Sequence, residues 1–297
     1  MPGRRPRGLG SLAIVTGGAQ VQAGTTPVDE HTAIAHLEAG QGEPLVLLPG
    51  WSQTAELFSA QLASLSSTHR VLALDHRGHG RSTTPATGYH LHRLAADVHA
   101  LLVTLDLTGV HLLGHSMGCA VIWSYLELFG DERLASLVLV DQMPCALRNP
   151  SWTDAEAADA GATMDAAGLF AFTDALRGHG DDPRVAFLEQ VTSDGITPDE
   201  LAWLVAQNET FDRTHAAELI FDVATHDWRT LLPTIDLPTL VVAGDSPNVP
   251  IASQRWMAGR IPDARFAEVP GRTGGSHFPF VERPDAFDDV VATHLAG

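Results

Sequence analysis

The stretch Leu112-Leu113-Gly114-His115-Ser116-Met117-Gly118-Cys119 decides the fold, because it carries a short buried strand directly into a helix. The apolar residues 110–113 predict the strand, and the run 120–126, which follows without a turn cluster, predicts the helix. Gly-x-Ser-x-Gly at such a junction is typical of a nucleophile elbow, whose sharp turn lifts the serine hydroxyl clear of the backbone. The helix N-terminus also favours a developing negative charge beside Ser116. The pentapeptide alone also occurs in simple turns, but its setting predicts that Ser116 is a nucleophile.

The composition is that of an acidic globular chain. Its 297 residues are 44% apolar and carry a formal charge of −18. This length suffices for one large domain with a buried core. The negative charge argues against nucleic acid as a partner, since phosphate binding needs a basic face. No apolar run approaches the ~20 residues that cross a bilayer, so we also expect no membrane partner.

The start of the chain predicts a disordered basic tail over residues 1–10, which contain several arginines. The apolar stretch Leu12–Val15 that follows is too short for the core of a signal peptide, so we expect a cytoplasmic location. The two cysteines, Cys119 and Cys145, do not require a disulfide framework. The sequence carries no indication of the oligomeric state.

Short apolar runs alternate with helical segments along most of the chain. Runs of this kind predict strands that are covered on both faces, and they lie at 45–48, 71–75, 110–113, 137–141, 238–244 and 265–269. This alternation indicates an α/β protein with a mostly parallel, doubly wound sheet. Residues 149–232 are instead acidic, alanine-rich and helical. We therefore predict a core formed by residues 11–148 and 233–297, with a helical cap inserted at 149–232.

The segment Ala13-Ile14-Val15-Thr16-Gly17-Gly18-Ala19 looks like the opening of a dinucleotide-binding turn. The glycines that should follow are missing, because residues 20–22 are Gln-Val-Gln and the next glycine is Gly24. Without them the backbone cannot approach a pyrophosphate closely. We therefore predict an edge hairpin that returns through Thr32–Leu37, and we expect neither a cofactor nor a metal.

The candidate general base is His277. Ligands bind outside the carboxyl ends of the strands in an open parallel sheet, and His277 follows the last predicted strand, in the loop 274–280. A serine nucleophile needs such a base, oriented by a carboxylate. His76 and His79 are the strongest rivals among the 15 histidines, but their His-Arg-Gly-His loop favours a structural role. The side chain of His115 should point away from the base position, because it adjoins the nucleophile in sequence.

Two aspartates satisfy the chain order serine, acid, histidine. Asp141 follows the strand after the elbow, and Asp245 follows the strand after the predicted cap. The residues alone leave both open, and a purely structural role for Asp141, as a strand-end carboxylate that caps loop amides, also stays open.

Several ordered motifs together resemble the α/β-hydrolase superfamily. They are Pro49-Gly50-Trp51, Asp75-His76-Arg77-Gly78-His79-Gly80-Arg81-Ser82, Gly114-His115-Ser116-Met117-Gly118 and Ser276-His277-Phe278. The resemblance covers nearly all of the chain outside the first residues and the cap. It implies the α/β-hydrolase fold, a serine nucleophile, and an oxyanion hole formed by the backbone N–H groups of Trp51 and Met117.

The resemblance also bears on the acid. The usual family pattern after the later strand is Gly-Asp-x-Asp-x-x-x-Pro, with the second aspartate catalytic. Here the loop after Asp245 is one residue shorter and carries Pro247 near that place. Branches such as the zearalenone-type lactonases and the cofactor-free ring-cleaving dioxygenases carry the acid after the strand that follows the elbow, where Asp141 stands. The resemblance therefore favours Asp141, with Asp245 as the alternative.

The leading hypothesis is a serine hydrolase whose small-molecule substrate is a fairly apolar carboxylic ester or lactone, cleaved through an acyl-enzyme. A cofactor-free dioxygenase on the same fold would instead use His277 and Asp141 as the base, with Ser116 only donating a hydrogen bond. A third hypothesis is a binding protein that keeps the pocket without turnover. An epoxide hydrolase or dehalogenase is disfavoured, because it would need aspartate in place of Ser116. Candidates for the pocket wall in the cap are Trp152, Phe170, Phe172 and Trp203, although core packing is the expected role for most of them.

Overall fold

A computed structural model describes residues 15–16, 19–178 and 180–297. In chain order, its strands are β1 (Val15–Thr16), β2 (Ala19–Gln20), β3 (Gln22–Pro27), β4 (Ala33–Ala39), β5 (Glu43–Leu48), β6 (His69–Leu74), β7 (Val110–His115), β8 (Leu134–Val140), β9 (Thr239–Ala243) and β10 (Ala264–Glu268). The predicted basic tail, 1–10, lies outside the described residues, as does most of the segment 13–19.

The central sheet has eight strands, in the order β10-β9-β8-β7-β5-β6-β4-β3. Every pairing from β6 through β5 to β10 is parallel, whereas β4 pairs antiparallel with both β6 and β3. The predicted α/β class with a mostly parallel sheet is therefore confirmed. An edge hairpin also forms, between β3 and β4; its return strand lies close to the predicted Thr32–Leu37, but its first strand begins after the segment 13–19.

Helices lie along the chain between these strands. They are α1 (Ser59–Ser64), α2 (Leu91–Thr104), α3 (Met117–Phe129), α4 (Asp154–Ala160), α5 (Ala166–Arg177), α6 (Pro183–Val191), α7 (Pro198–Asn208), α8 (Arg213–Thr225), α9 (Ile251–Ala258), α10 (Pro279–Glu282) and α11 (Pro284–Leu295), with 3-10 turns at Ala55–Phe58, Leu65–Ser67 and Leu232–Thr234. None of the helices in the described part of the chain combines the length and apolar character that crossing a bilayer requires.

Both faces of the sheet are covered, as the continuous apolar runs require. Successive residues of a strand point to opposite faces. Val46 accordingly packs in the cluster that contains Trp123 of α3, and Leu47 packs in the cluster that contains Phe287 of α11. All four side chains are fully buried. Burial of each apolar side chain contributes about 1.5–3 kcal/mol, so this double layer holds the strand ends in fixed positions.

Helices α4 to α8 all lie between β8 and β9, within residues 149–232. We call residues 149–232 the helical insert. In this insert α5 packs on α8, and α6 packs on α7. The boundaries of the cap and of the two core segments stay predictions.

Candidate active site

Ser116 stands on a tight turn between β7 and α3, with φ 52° and ψ −121°. The turn brings strand and helix so close that a Cβ at Gly114 would lie 2.5 Å from the carbonyl carbon of Gly118. A Cβ at Gly118 would lie 2.3 Å from the carbonyl oxygen of Leu48. Both contacts are closer than real atoms allow, so only glycine fits at these two positions. The local geometry is that of the nucleophile elbow predicted from the motif.

His277 and Asp141 form a buried hydrogen-bonded pair. Nδ1 of His277, in the loop between β10 and α10, lies 2.7 Å from Oδ2 of Asp141, which follows β8. Oδ2 also accepts a hydrogen bond from Ser246 Oγ, and Oδ1 accepts from the Gly244 N–H and from Gln254 Nε2, at 2.8 to 2.9 Å. A buried carboxylate is costly unless its oxygens are hydrogen-bonded. Four donors meet that requirement here.

Asp245 occupies a different environment from Asp141. It follows β9, and its φ of 58° is as unusual as the 46° of Asp141. Its side chain is exposed, and among the described residues no hydrogen bond joins it to His277. Its neighbours Gly244 and Ser246 instead donate to Asp141. Of the two acids that the residues leave open, the structure brings Asp141 to His277.

Ser116 and His277 line one cavity of about 850 Å³ at the carboxyl ends of the strands. Among the described residues no hydrogen bond links the Ser116 hydroxyl to the His277 ring. Catalytic hydrogen bonds are often long without substrate and tighten in the complex. The cavity is walled mainly by apolar side chains, among them Met143, Met164, Phe172, Phe187, Ile220 and Val223.

Trp51 and Met117 line the same cavity. Met117 is the first residue of α3, so its N–H has no partner within the helix. The hydrogen bonds among the described residues leave the backbone N–H groups of both residues unpaired. Unpaired N–H groups can bind an oxyanion, and the oxyanion role of these two residues stays a prediction.

His115 connects the loop of His277 to the loop of Trp51. Its Nε2 lies 2.7 Å from the His277 carbonyl oxygen, and its Nδ1 lies 2.9 Å from Gln53 Oε1, the oxygen that accepts from the Gly50 N–H at 2.9 Å; the single proton of the neutral ring can serve only one of the two oxygens at a time. Burial, together with the neighbouring His277, holds the pKa of His115 well below its usual range. The ring of His115 packs on the ring of His277, with centroids 4.6 Å apart, so the side chain lies nearer the base position than the sequence predicts, although it is not part of the described cavity wall. Sequence reasoning missed its neighbour Gln53, which no local motif distinguishes.

His76 and His79, the rivals for the base, fix the backbone around Trp51 instead. His76 donates from Nε2 to the Pro49 carbonyl oxygen at 3.2 Å. His79 Nε2 accepts from the Ser52 N–H at 3.2 Å, while its Nδ1–H donates to the Arg77 carbonyl oxygen at 2.9 Å. Burial lowers the pKa of His76 to about 4 and that of His79 to about 3. Both rings are therefore neutral parts of the scaffold, which agrees with the structural role predicted for their loop.

The aromatic candidates of the insert are only partly correct. Phe172 lines the cavity, but Trp152, Phe170 and Trp203 are not among the residues that form its wall in the described part of the chain. Phe170 is 57% exposed. The second aromatic wall residue is Phe187 of α6, which sequence reasoning missed. Helical periodicity cannot tell which of two helices faces a cavity.

Comparisons with known proteins agree with this geometry. The family described as the Alpha/beta hydrolase family matches residues 45–290. A non-heme chloroperoxidase of Kitasatospora aureofaciens is 31% identical over 251 residues, which cover 82% of this chain and 88% of that protein. A pimeloyl-[acyl-carrier protein] methyl ester esterase of Aeromonas hydrophila is 30% identical over 265 residues, 87% of this chain and 97% of the esterase. The crystal structure of a bromoperoxidase from Bacillus anthracis has the same fold, with a TM-score of 0.81 at 23% identity, over 93% of this chain and all of that one.

Proposed function

Since the chain belongs to the alpha/beta hydrolase family, we propose that it is a serine hydrolase that cleaves a small, fairly apolar carboxylic ester or lactone through an acyl-enzyme. One observation carries the proposal. The buried His277–Asp141 pair opens onto the same cavity as the elbow serine, Ser116. This arrangement supports Ser116 as the nucleophile, His277 as the base and Asp141 as the acid that orients the base, which are the three groups that acyl transfer needs.

In the proposed mechanism Asp141 holds the proton on Nδ1 of His277, which leaves Nε2 free to act as the base. Nε2 takes the proton of the Ser116 hydroxyl as Oγ attacks the substrate carbonyl carbon. The oxyanion that forms accepts hydrogen bonds from the N–H groups of Trp51 and Met117, each worth about 2.7–4 kcal/mol in the transition state. The imidazolium then gives its proton to the leaving alkoxide, and the acyl-enzyme remains.

Water completes the cycle. His277 takes a proton from water as the water oxygen adds to the acyl carbon. The second tetrahedral intermediate then collapses: the bond from the acyl carbon to Ser116 Oγ breaks, the His277 imidazolium returns its proton to Oγ, and the carboxylic acid leaves. The apolar wall of the cavity suits an acyl or alkyl group without charge. The esterase relative supports an ester as the substrate.

The chloroperoxidase relative favours one second activity, perhydrolysis at the same site. Hydrogen peroxide would replace water as the nucleophile on the acyl-enzyme of Ser116. His277 would take one peroxide proton, and the products would be a peroxy acid and the free serine. Peroxy acid that forms from an ester only when both enzyme and peroxide are present would support this activity.

A panel of p-nitrophenyl esters and lactones, together with labelling by a fluorophosphonate, tests the main proposal. We expect wild-type turnover and labelling, a loss of kcat of about 10⁶-fold in Ser116→Ala, and no labelling of that variant. Ser124→Ala is the matched control. Ser124 is buried on the same helix, its hydroxyl has no partner among the described residues, and its removal should leave both readouts unchanged.

Two outcomes would contradict the proposal. An oxygenation activity that Ser116→Ala largely keeps would favour the cofactor-free dioxygenase. A wild-type chain that binds small apolar molecules but neither turns over any ester nor takes the label would favour a binding protein.

A further inference from the structure

A second cluster of reactive side chains lies at the opposite edge of the sheet, where the parallel strands begin. Glu43 is the first residue of β5, His69 is the first residue of β6, and His111 is the second residue of β7. Glu43 is the register partner of His69, and Leu45 is the register partner of His111. Paired residues, and residues two apart on one strand, share a face of the sheet. The three side chains therefore project from the same face of three adjacent strands.

The ligand atoms of these side chains converge. His111 Nε2 lies 3.6 Å from Glu43 Oε2. One nitrogen from each histidine and one oxygen of Glu43 all lie within 4.8 Å of one another. The two imidazole rings meet edge to face, with centroids 5.8 Å apart. Such an arrangement presents two nitrogens and a carboxylate oxygen to a single point.

A hydroxyl contacts Nδ1 of each histidine. His111 Nδ1 lies 2.7 Å from Ser136 Oγ, and His69 Nδ1 lies 2.9 Å from Thr68 Oγ1. In His111 the other nitrogen, Nε2, is the one that faces Glu43. A hydrogen bond on the second nitrogen of a metal-binding histidine fixes its tautomer and its ring direction. The contact with Ser136 is independent of the convergence, since it lies on the opposite side of the His111 ring.

We propose that Glu43, His69 and His111 form a binding site for a divalent transition metal of the zinc type, with water as the fourth ligand. Zinc takes histidine and carboxylate ligands at about 2.0–2.2 Å, so tetrahedral ligand atoms lie roughly 3.3–3.6 Å apart. The pair His111–Glu43 has this spacing. The remaining pairs need shifts of about 1 Å, which half-buried His69 and the Glu43 side chain, 75% exposed, can make. The sequence predicts no metal, because the ligands share no local spacing.

Such a metal would link three neighbouring strands, since β7, β5 and β6 are adjacent in the sheet. The ligands come together only in the folded chain, so binding should stabilise the native state by mass action. The site lies at the amino ends of the strands, whereas the cavity with Ser116 lies at their carboxyl ends. The metal would therefore take no part in the chemistry at Ser116.

Calorimetric titration of the full chain with zinc chloride, without an affinity tag, tests the proposal. We expect one tight equivalent of zinc, and a rise in Tm of about 5 °C when zinc stands near 100 times its Kd. In Glu43→Gln and in His69→Gln the Kd should rise at least tenfold, so at the same zinc concentration the thermal shift should fall to about half or less of the wild-type shift. Both substitutions avoid the buried His111, so the variants should fold.

The control is Glu30→Gln, because Glu30 is an exposed carboxylate beside a single histidine, His31, at 4.0 Å. It should bind zinc as the wild type does. The proposal is overturned if the wild type takes up no zinc. It is also overturned if the Glu43 and His69 variants bind zinc with the wild-type Kd and stoichiometry, because the metal would then lie elsewhere.

Discussion

The sheet side and the insert side of the cavity hold their residues in place by different forces. On the sheet side, which we define as Trp51, Ser116, Met117 and His277, the surrounding loops are fixed by buried hydrogen bonds, such as those that converge on Asp141. On the insert side, defined as Phe172, Phe187, Ile220 and Val223, the side chains have no hydrogen-bonding groups and are held by packing alone. Hydrogen bonds fix atoms to within a fraction of an ångström, whereas apolar packing tolerates substitution. We therefore expect chemistry to depend on the first side and substrate preference on the second.

The two sides nevertheless touch at the loop of Trp51. The indole Nε1–H of Trp51 donates to the Ala216 carbonyl oxygen of α8 at 2.9 Å. Arg184 of α6 reaches Ser52 Oγ at 3.5 Å and donates to the Asn208 carbonyl oxygen at 2.6 Å. The insert thus supports the loop that carries one of the proposed oxyanion donors. Substitutions that test the difference between the sheet side and the insert side must therefore leave these contacts intact.

Apart from loss of the nucleophile itself, the largest effect should come from Asp141→Asn, whose carboxylate holds His277 of the sheet side. Asparagine tolerates the φ of 46° and preserves the volume, but its amide favours the wrong tautomer of His277. We expect kcat on the best ester to fall about 10⁴-fold, with an unchanged circular dichroism spectrum. Steady-state kinetics of the purified variant check this.

Asp245→Asn is the matched control for that variant, since Asp245 also follows a parallel strand with a positive φ. Its side chain is exposed, so kcat should stay within about twofold of wild type. A large loss in Asp245→Asn, or a near-normal Asp141→Asn, would reverse the assignment of the acid.

We expect a smaller loss of activity from Gln53→Leu. This substitution keeps the volume of the side chain but removes the oxygen that accepts from the Gly50 N–H. The loop of Trp51 should then shift, and a misplaced oxyanion donor should lower kcat by about 10- to 100-fold with little change in KM. Thr54→Val serves for comparison, because Thr54 bonds Gln207 of the insert at 2.5 Å and leaves Gly50 untouched. If both variants lose equal activity, general disturbance of the loop explains the effect and the specific role of Gln53 fails.

The neutral histidines His76 and His79, which contact the loop of Trp51, also predict acid sensitivity. The pKa of His76 is lowered to about 4 and that of His79 to about 3, chiefly by burial. Below pH ~6.5 the unfolded chain binds protons at these histidines while the folded chain does not, so the free energy of unfolding falls with pH down to about 4. Each of these two histidines can lower the free energy of unfolding by at most about 2 kcal/mol at pH 5.

Urea unfolding at pH 7 and pH 5 measures this effect. His79→Gln keeps a donor and an acceptor but does not titrate, so it should lose about 1–2 kcal/mol less than the wild type between the two pH values. The comparison uses each protein's own value at pH 7 as its reference, which removes any baseline cost of the substitution. Equal losses would contradict a role for His79.

The two sides also differ in how far they could be predicted from sequence. Ser116 and His277 follow strands whose apolar runs are local signals, and topology alone brings the ends of parallel strands together. The choice between Asp141 and Asp245 was not local, because both residues follow adjacent strands. The choice depends on which carboxylate accepts hydrogen bonds from donors such as Gln254, and tertiary packing determines this.

In the insert, the sequence indicates less clearly which residues line the cavity, and the physical reason is the same. Phe170 and Phe187 lie on successive helices; periodicity predicts an apolar face for α5, but α6 has almost no such periodicity. Which face borders the cavity depends on how α5 and α6 dock on the core. The cluster of Glu43, His69 and His111 was hidden in a similar way, because only strand register brings these distant residues together.

The smallest effect on rate should come from the insert side, in Phe187→Ala. The ring of Phe187 lies edge to face on Trp51 with centroids 6.2 Å apart, and 6.5 Å from the ring of His277, so its removal widens the cavity above the reacting atoms without breaking a hydrogen bond. We expect kcat/KM for short acyl esters to fall roughly tenfold, mainly through KM, while longer acyl chains lose less. Phe170→Ala, whose side chain is 57% exposed, should leave the whole profile of chain lengths unchanged. If Phe187→Ala instead lowered kcat equally for every ester, the insert would be acting on the chemistry, and the division between the two sides of the cavity would be wrong.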